Sequence, residues 1–182
     1  GDRGDPNLCF TVSLSKYFSN QILVTYGLNV VRYGTEFYSL QLEKPPYVGW
    51  EAEKNALYSL IAVGPDMPSY AEPDERCWLH WAVGNIPESN VSRGRTITPY
   101  GGLNLGYQLG PHRIVFIVYK QPGKKRIKFL ESDFDDRMDF FRRGFYNPYV
   151  FVERYNLSFP VGVNFLIGLW ENEIHQAGSL YS

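Results

Sequence analysis

A chain of 182 residues, 44% hydrophobic and 20% charged, is the length of one domain of ordinary size and long enough to bury a full core. Its formal net charge of −1 gives no electrostatic basis for binding nucleic acid, and Lys124-Lys125-Arg126 with Lys128, beside the acidic run from Glu131, reads as a solvated turn. No run approaches the roughly 18 apolar residues of a membrane span, and 14 Tyr with 12 Phe lean the composition toward β structure.

Residues 1–8 are polar, carry Arg3-Gly4-Asp5, and are expected to be a flexible terminal segment ahead of a single domain over 9–182. They hold no hydrophobic leader core, so any leader is expected to have been removed or never present. Residues 12–19 read as a short helix, 21–28 as a strand, and 30–33 as its continuation in the same sheet. Over 37–42, Phe37, Ser39 and Gln41 alternate with Tyr38, Leu40 and Leu42, the pattern of a strand with one buried face. Lys44-Pro45-Pro46 ends it, and Val48 opens a new short segment. The nearly continuous apolar run 57–63 predicts a central strand that delivers the turn Gly64-Pro65-Asp66-Met67-Pro68.

Residues 78–86 and 113–119 predict two more buried strands. A helix is expected next, capped by Ser132 or Asp133, with Phe134, Met138, Phe141 and Phe145 along one face. Arg142 and Arg143 fall in its last turn before Gly144, where cations and a glycine are favoured. A short helix over 149–155 and an apolar strand over 159–170 complete a mostly β fold with late helices.

Cys9 and Cys77 allow one disulfide in a secreted protein or two free thiols. Asn90-Val91-Ser92 and Asn156-Leu157-Ser158 fit the N-glycosylation acceptor pattern. Together these favour a secreted glycoprotein over a cytoplasmic protein. Ser59, Ser69 and Ser92 have no matching His-Asp arrangement, and the spread of 3 His and 2 Cys gives no zinc spacing. Neither an enzyme nor a cofactor is expected.

His80 enters one apolar strand beside Trp78 and Trp81, and His112 opens another within Gly110-Pro111-His112-Arg113. Burying such a ring unpaired costs about 1–3 kcal/mol, so each needs a partner or a ligand. The two motifs resemble those of the phosphatidylethanolamine-binding protein family. There an Asp-Pro-Asp-x-Pro turn precedes His-Trp or His-Phe, and Gly-x-His-Arg opens a strand that ends in Gln, here Gln121. The resemblance extends from Leu23 to Glu171, through Val24-Thr25-Tyr26, Tyr155-Asn156-Leu157, Pro160-Val161 and Trp170-Glu171.

The resemblance implies a large antiparallel central sheet flanked by a smaller sheet and C-terminal helices. It also implies a small pocket for phosphate, acetate or a phospholipid head group, built here from Pro65, Asp66, Pro68, Trp78, His80, Gly110 and His112. Arg113 is expected to pair with a carboxylate, Asp66 or Glu72.

Several positions depart from the family pattern. Gly64 replaces the first aspartate of the turn, Ile114 the tyrosine after His-Arg, Leu166 a tyrosine of the last strand, and Glu75 a loop tyrosine. The stretch 102–106 lacks the family's prolines. A weakened anion site with a more apolar or wider cavity follows, suited to a lipid-like or small ligand. The competing expectation is a protein-interaction module, a kinase or protease modulator or a scaffold subunit, with a vestigial pocket.

Overall fold

The computed structural model describes residues 9, 20–66, 77–103, 110–134, 143–144, 146–157 and 160–170. The expected helix at 12–19, most of that at 133–145, Arg3-Gly4-Asp5, Pro68, Glu72 and Glu75 lie outside these residues.

In chain order the strands are β1 (Leu23–Tyr26), β2 (Asn29–Val30), β3 (Thr35–Tyr38), β4 (Tyr47–Gly49), β5 (Leu57–Gly64), β6 (Trp78–Pro87), β7 (Arg95–Thr98), β8 (His112–Lys120) and β9 (Pro160–Leu169). They form a three-stranded sheet, β2-β1-β4, and a six-stranded sheet, β3-β9-β8-β5-β6-β7. The large sheet is mixed: β3 runs parallel to β9, while its other neighbours are antiparallel. The strand expected over 37–42 stops at Tyr38, and Ser39–Leu42 turns into a 3-10 helix. The Gln41 side chain accepts from Tyr38 N at 2.8 Å and closes that turn, which sets Leu42 into the core.

β5 and β8 are apolar at nearly every position because both faces of the sheet are covered. Leu60, Ala62, Ile114, Phe116 and Leu166 pack toward the small sheet's Val24 and Tyr26. Ile61, Val63, Val115 and Ile117 pack on the other face with Phe129, Phe151 and Leu157. Phe151 comes from the helix α1 (Pro148–Arg154), which Pro148 opens and Asn147 caps by accepting from Tyr149 N at 3.0 Å.

Two devices lock this arrangement. Asn164, buried in β9, donates from its amide to Ile22 O at 2.9 Å and Val31 O at 3.0 Å, which ties the two sheets together. Cys9 and Cys77 are joined by a disulfide, with Cα atoms 5.3 Å apart and a sequence separation of 68. On the chain-entropy account a loop of that order is worth about 4 kcal/mol.

β5, β6 and β8 have two common ends. At one, Gln121 N donates to Leu57 O, and the Gln121 carboxamide accepts from Ser59 Oγ and Asn85 N, each at 2.8 Å. Its amide donates to Asn85 Oδ1 at 2.8 Å, and that oxygen also accepts from Ile127 N. The other end, Gly64, Trp78 and His112, carries the site.

Candidate functional site

His80 owes its position to a β-bulge. The register runs Ala62↔Trp81 and then Val63↔Leu79, so His80 is the extra residue on β6. A bulge of this kind re-aims one side chain out of the ladder. The backbone of Gly101 then holds the residue twice. Gly101 N donates to His80 O at 2.8 Å, and His80 Nδ1 lies 2.7 Å from Gly101 O. A carbonyl oxygen only accepts, so Nδ1 carries the proton.

Burial, above all, pulls the His80 pKa down to about 3, with the nearby Arg143 and His112 adding to the fall against the Gly101 bond. The ring is therefore neutral at physiological pH, with Nε2 left as a hydrogen-bond acceptor.

His112 opens β8 opposite Gly168 of β9, and like His80 it is 1% exposed. The chain enters this strand through Gly110, whose φ of 84° is a conformation that side chains other than glycine rarely adopt. Trp78 is buried at the start of β6, its ring edge-on to His80 with centroids 4.7 Å apart.

Asp66 is buried after Pro65, and Arg113 takes up both its oxygens. Arg113 N and Nε donate to Oδ2 at 2.8 and 2.9 Å, and an Nη donates to Oδ1 at 2.7 Å. The carboxylate thus clamps Pro65-Asp66 onto the first residues of β8.

Gly64 has a steric reason. A Cβ there would lie 2.7 Å from His80 Nε2, so the imidazole stands where a side chain at this position would begin. Ile114 and Leu166 are fully buried and directly opposed across β8 and β9. The two positions where the family pattern has tyrosines thus form one apolar block within the core.

Arg143, expected in the last turn of a helix before Gly144, is buried, at 1% exposure. Its Nη atoms donate to Leu79 O, His80 O and Pro99 O at 3.3, 3.0 and 2.8 Å, and its guanidinium carbon lies 5.4 Å from the Trp78 ring centroid. No local pattern marks such a residue, because its acceptors come from β6 and from the segment after β7.

The fold thus gathers Pro65, Asp66, Trp78, His80, Gly110 and His112 at one end of the sheet, with Arg143 and Arg113 added. Asn90 and Asn156 are exposed elsewhere, and Ser92 Oγ donates to Asn90 Oδ1 at 2.7 Å. Among the described residues no three His, Cys, Asp or Glu side chains are grouped to hold a metal ion, and no helix is long and apolar enough to cross a membrane.

Residues 20–145 match the model of a family described as phosphatidylethanolamine-binding protein. The chain is 36% identical over 148 residues to the 26 kDa secreted antigen of Toxocara canis, covering 81% of this chain and 55% of that protein. It is 25% identical over 146 residues to putative odorant-binding protein A5 of Drosophila melanogaster, covering 78% of this chain and 66% of that one. The chain thus spans between about half and two thirds of the length of these relatives. Among solved structures, carboxypeptidase Y inhibitor complexed with its cognate proteinase is similar in fold, with a TM-score of 0.65, 20% identity and 85% of each chain covered.

Proposed function

The chain belongs to the phosphatidylethanolamine-binding protein family, and on that premise we propose that it is a non-enzymatic, secreted ligand-binding protein. Its histidine site takes small or lipid-like ligands that bring a hydrogen-bond donor, in preference to fully ionised anions. The observation that carries this is the state of His80: proton on Nδ1, bonded to Gly101 O, and Nε2 an acceptor. A bare carboxylate or phosphate dianion meets a lone pair there, whereas an amide, hydroxyl or ammonium donates to it.

The surroundings point the same way. Arg113 satisfies Asp66, and Ile114 and Leu166 supply no hydroxyl. Trp78, Pro65, Pro68, Gly110 and His112 complete the candidate site. Secretion rests on the Cys9–Cys77 bond, the two glycosylation sequences and the name of the Toxocara relative.

Acetamide and acetate are close in shape, but only acetamide carries N–H donors. Titrated separately and followed by NMR, acetamide is expected to bind at least tenfold more tightly, and a His80→Ala/His112→Ala variant to lose it. Tighter binding of acetate, or equal binding by the variant, sinks the reading. A protein-interaction role then gains, for which the exposed Leu23, Val30 and Tyr47 of the small sheet are the supporting observation.

A further inference from the structure

On the face of the large sheet turned away from the small one lies a cavity of about 310 Å³. Leu79 and Ile97 of the sheet line it, with Phe134 and Phe151 as aromatic walls. Arg143 and Tyr146 also line it, and the Arg154–Asp133 ion pair, 2.8 Å long, belongs to the same wall.

Three observations converge on the chemistry of an occupant. The Tyr146 hydroxyl is buried and has no hydrogen-bond partner among the described residues. Burial, with the Asp133 charge adding to it, raises its pKa, so it stays a proton donor in need of an acceptor. Asp133 does not serve as that acceptor in the structure, since its oxygens are bonded to Arg154 and Tyr155.

Among the described residues of the lining the charge balance is positive. Arg143 and Arg154 stand against Asp133, and Arg95 adds a further cation 4.8 Å from the Phe134 ring centroid. The volume lies at the low end for small-molecule sites, enough for one ring and a head group and too little for a phospholipid.

We infer that this cavity is a second binding site, which takes a small aromatic carboxylate. The ring packs among Phe134, Phe151, Leu79 and Ile97, and the carboxylate accepts from Tyr146 on the Arg143 side. The site is chemically the converse of the histidine site, which calls for a donor. Arg143 is their common wall, since it lines this cavity while donating to His80 O.

Benzoate and benzamide, titrated by calorimetry, test the inference. Benzoate is expected to bind at least fivefold more tightly than benzamide. Tyr146→Phe, which removes only the hydroxyl, should weaken benzoate about tenfold or more, the worth of one hydrogen bond to a charged group. Ser132→Trp, at an exposed position of the lining, should abolish binding without disturbing the core. The His80→Ala/His112→Ala variant should bind benzoate as the parent does. Benzoate lost from the histidine variant but kept by Ser132→Trp places the anion in the other site and overturns the inference. No benzoate binding to the parent, or undiminished binding to Tyr146→Phe, leaves the cavity to water and overturns it equally.

Discussion

At one end of β5, β6 and β8, Ser59, Asn85 and Gln121 bury neutral groups that satisfy one another, with the Ile127 backbone completing the set. At the other end, His80, His112, Arg143 and Asp66 bury groups that carry or exchange charge, and His80 and Arg143 are held largely by backbone carbonyls. The first end is a closed network whose donors and acceptors face inward, which fastens the loop after β8 to the sheet and leaves little for a ligand. At the second, His80 spends Nδ1 on Gly101 O and keeps Nε2, beside Gly64, as an acceptor. Buried polarity alone therefore does not mark a functional site. What separates the ends is whether an acceptor such as His80 Nε2 is left for a partner.

The largest expected difference is in pH dependence. The folded pKa of His80 lies near 3, below the 6.5 of an unperturbed histidine. Its contribution to stability is therefore complete above about pH 6.5 and is lost as pH falls from there toward 3. A His80→Gln variant should lack this component, and its unfolding free energy should fall less steeply with acid than the parent's, by up to about 1.4 kcal/mol per pH unit in that window. Parallel profiles from denaturant titrations would show that His80 protonates freely and would erase the contrast.

Next in size, Gln121→Leu strands the Asn85 N–H and removes an acceptor for Ser59, at a cost of about 3 kcal/mol. Urea midpoints should register that loss while acetamide affinity stays unchanged. A change in affinity would couple the two ends.

The smallest effect expected is at Gly64. Gly64→Ala places a methyl against His80 Nε2 and should cost about 1–2 kcal/mol in thermal unfolding, with a shift of the His80 ring resonances. No cost would mean that the ring turns aside easily and that the charged end is the softer of the two.

The strands at 57–63, 78–86, 113–119 and 159–170 were legible because a strand covered on both faces leaves a near-continuous apolar run. The family motifs make both histidines pocket residues, each opening or entering such a run, and the register puts them at the same end of the sheet. Other features depend on information that a local pattern does not hold. Alternation over Phe37 to Leu42 says nothing of strand direction, nor of the Gln41 side chain that ends the strand. Arg143 reads as a helix-terminal cation until Leu79, His80 and Pro99 supply their carbonyls. Gly64 reads as a missing carboxylate, and only the fold brings His80 Nε2 into the space beside it. Ile114 and Leu166 lie 52 positions apart in sequence, and their register makes them one contact.

The Asn164 bonds carry a consequence for synthesis. They reach back 142 residues to Ile22 and 133 to Val31, and β9 lies between β3 and β8. A nascent chain can zip β5 to β6 and β8 while it is still being made, but β3 has no neighbour in the large sheet until β9 has left the ribosome. Through that interval the flank of β8 is an open edge, and the opening segment waits for the strand that will bind it. Among the described strands, the last one made is the one that lets the early ones dock.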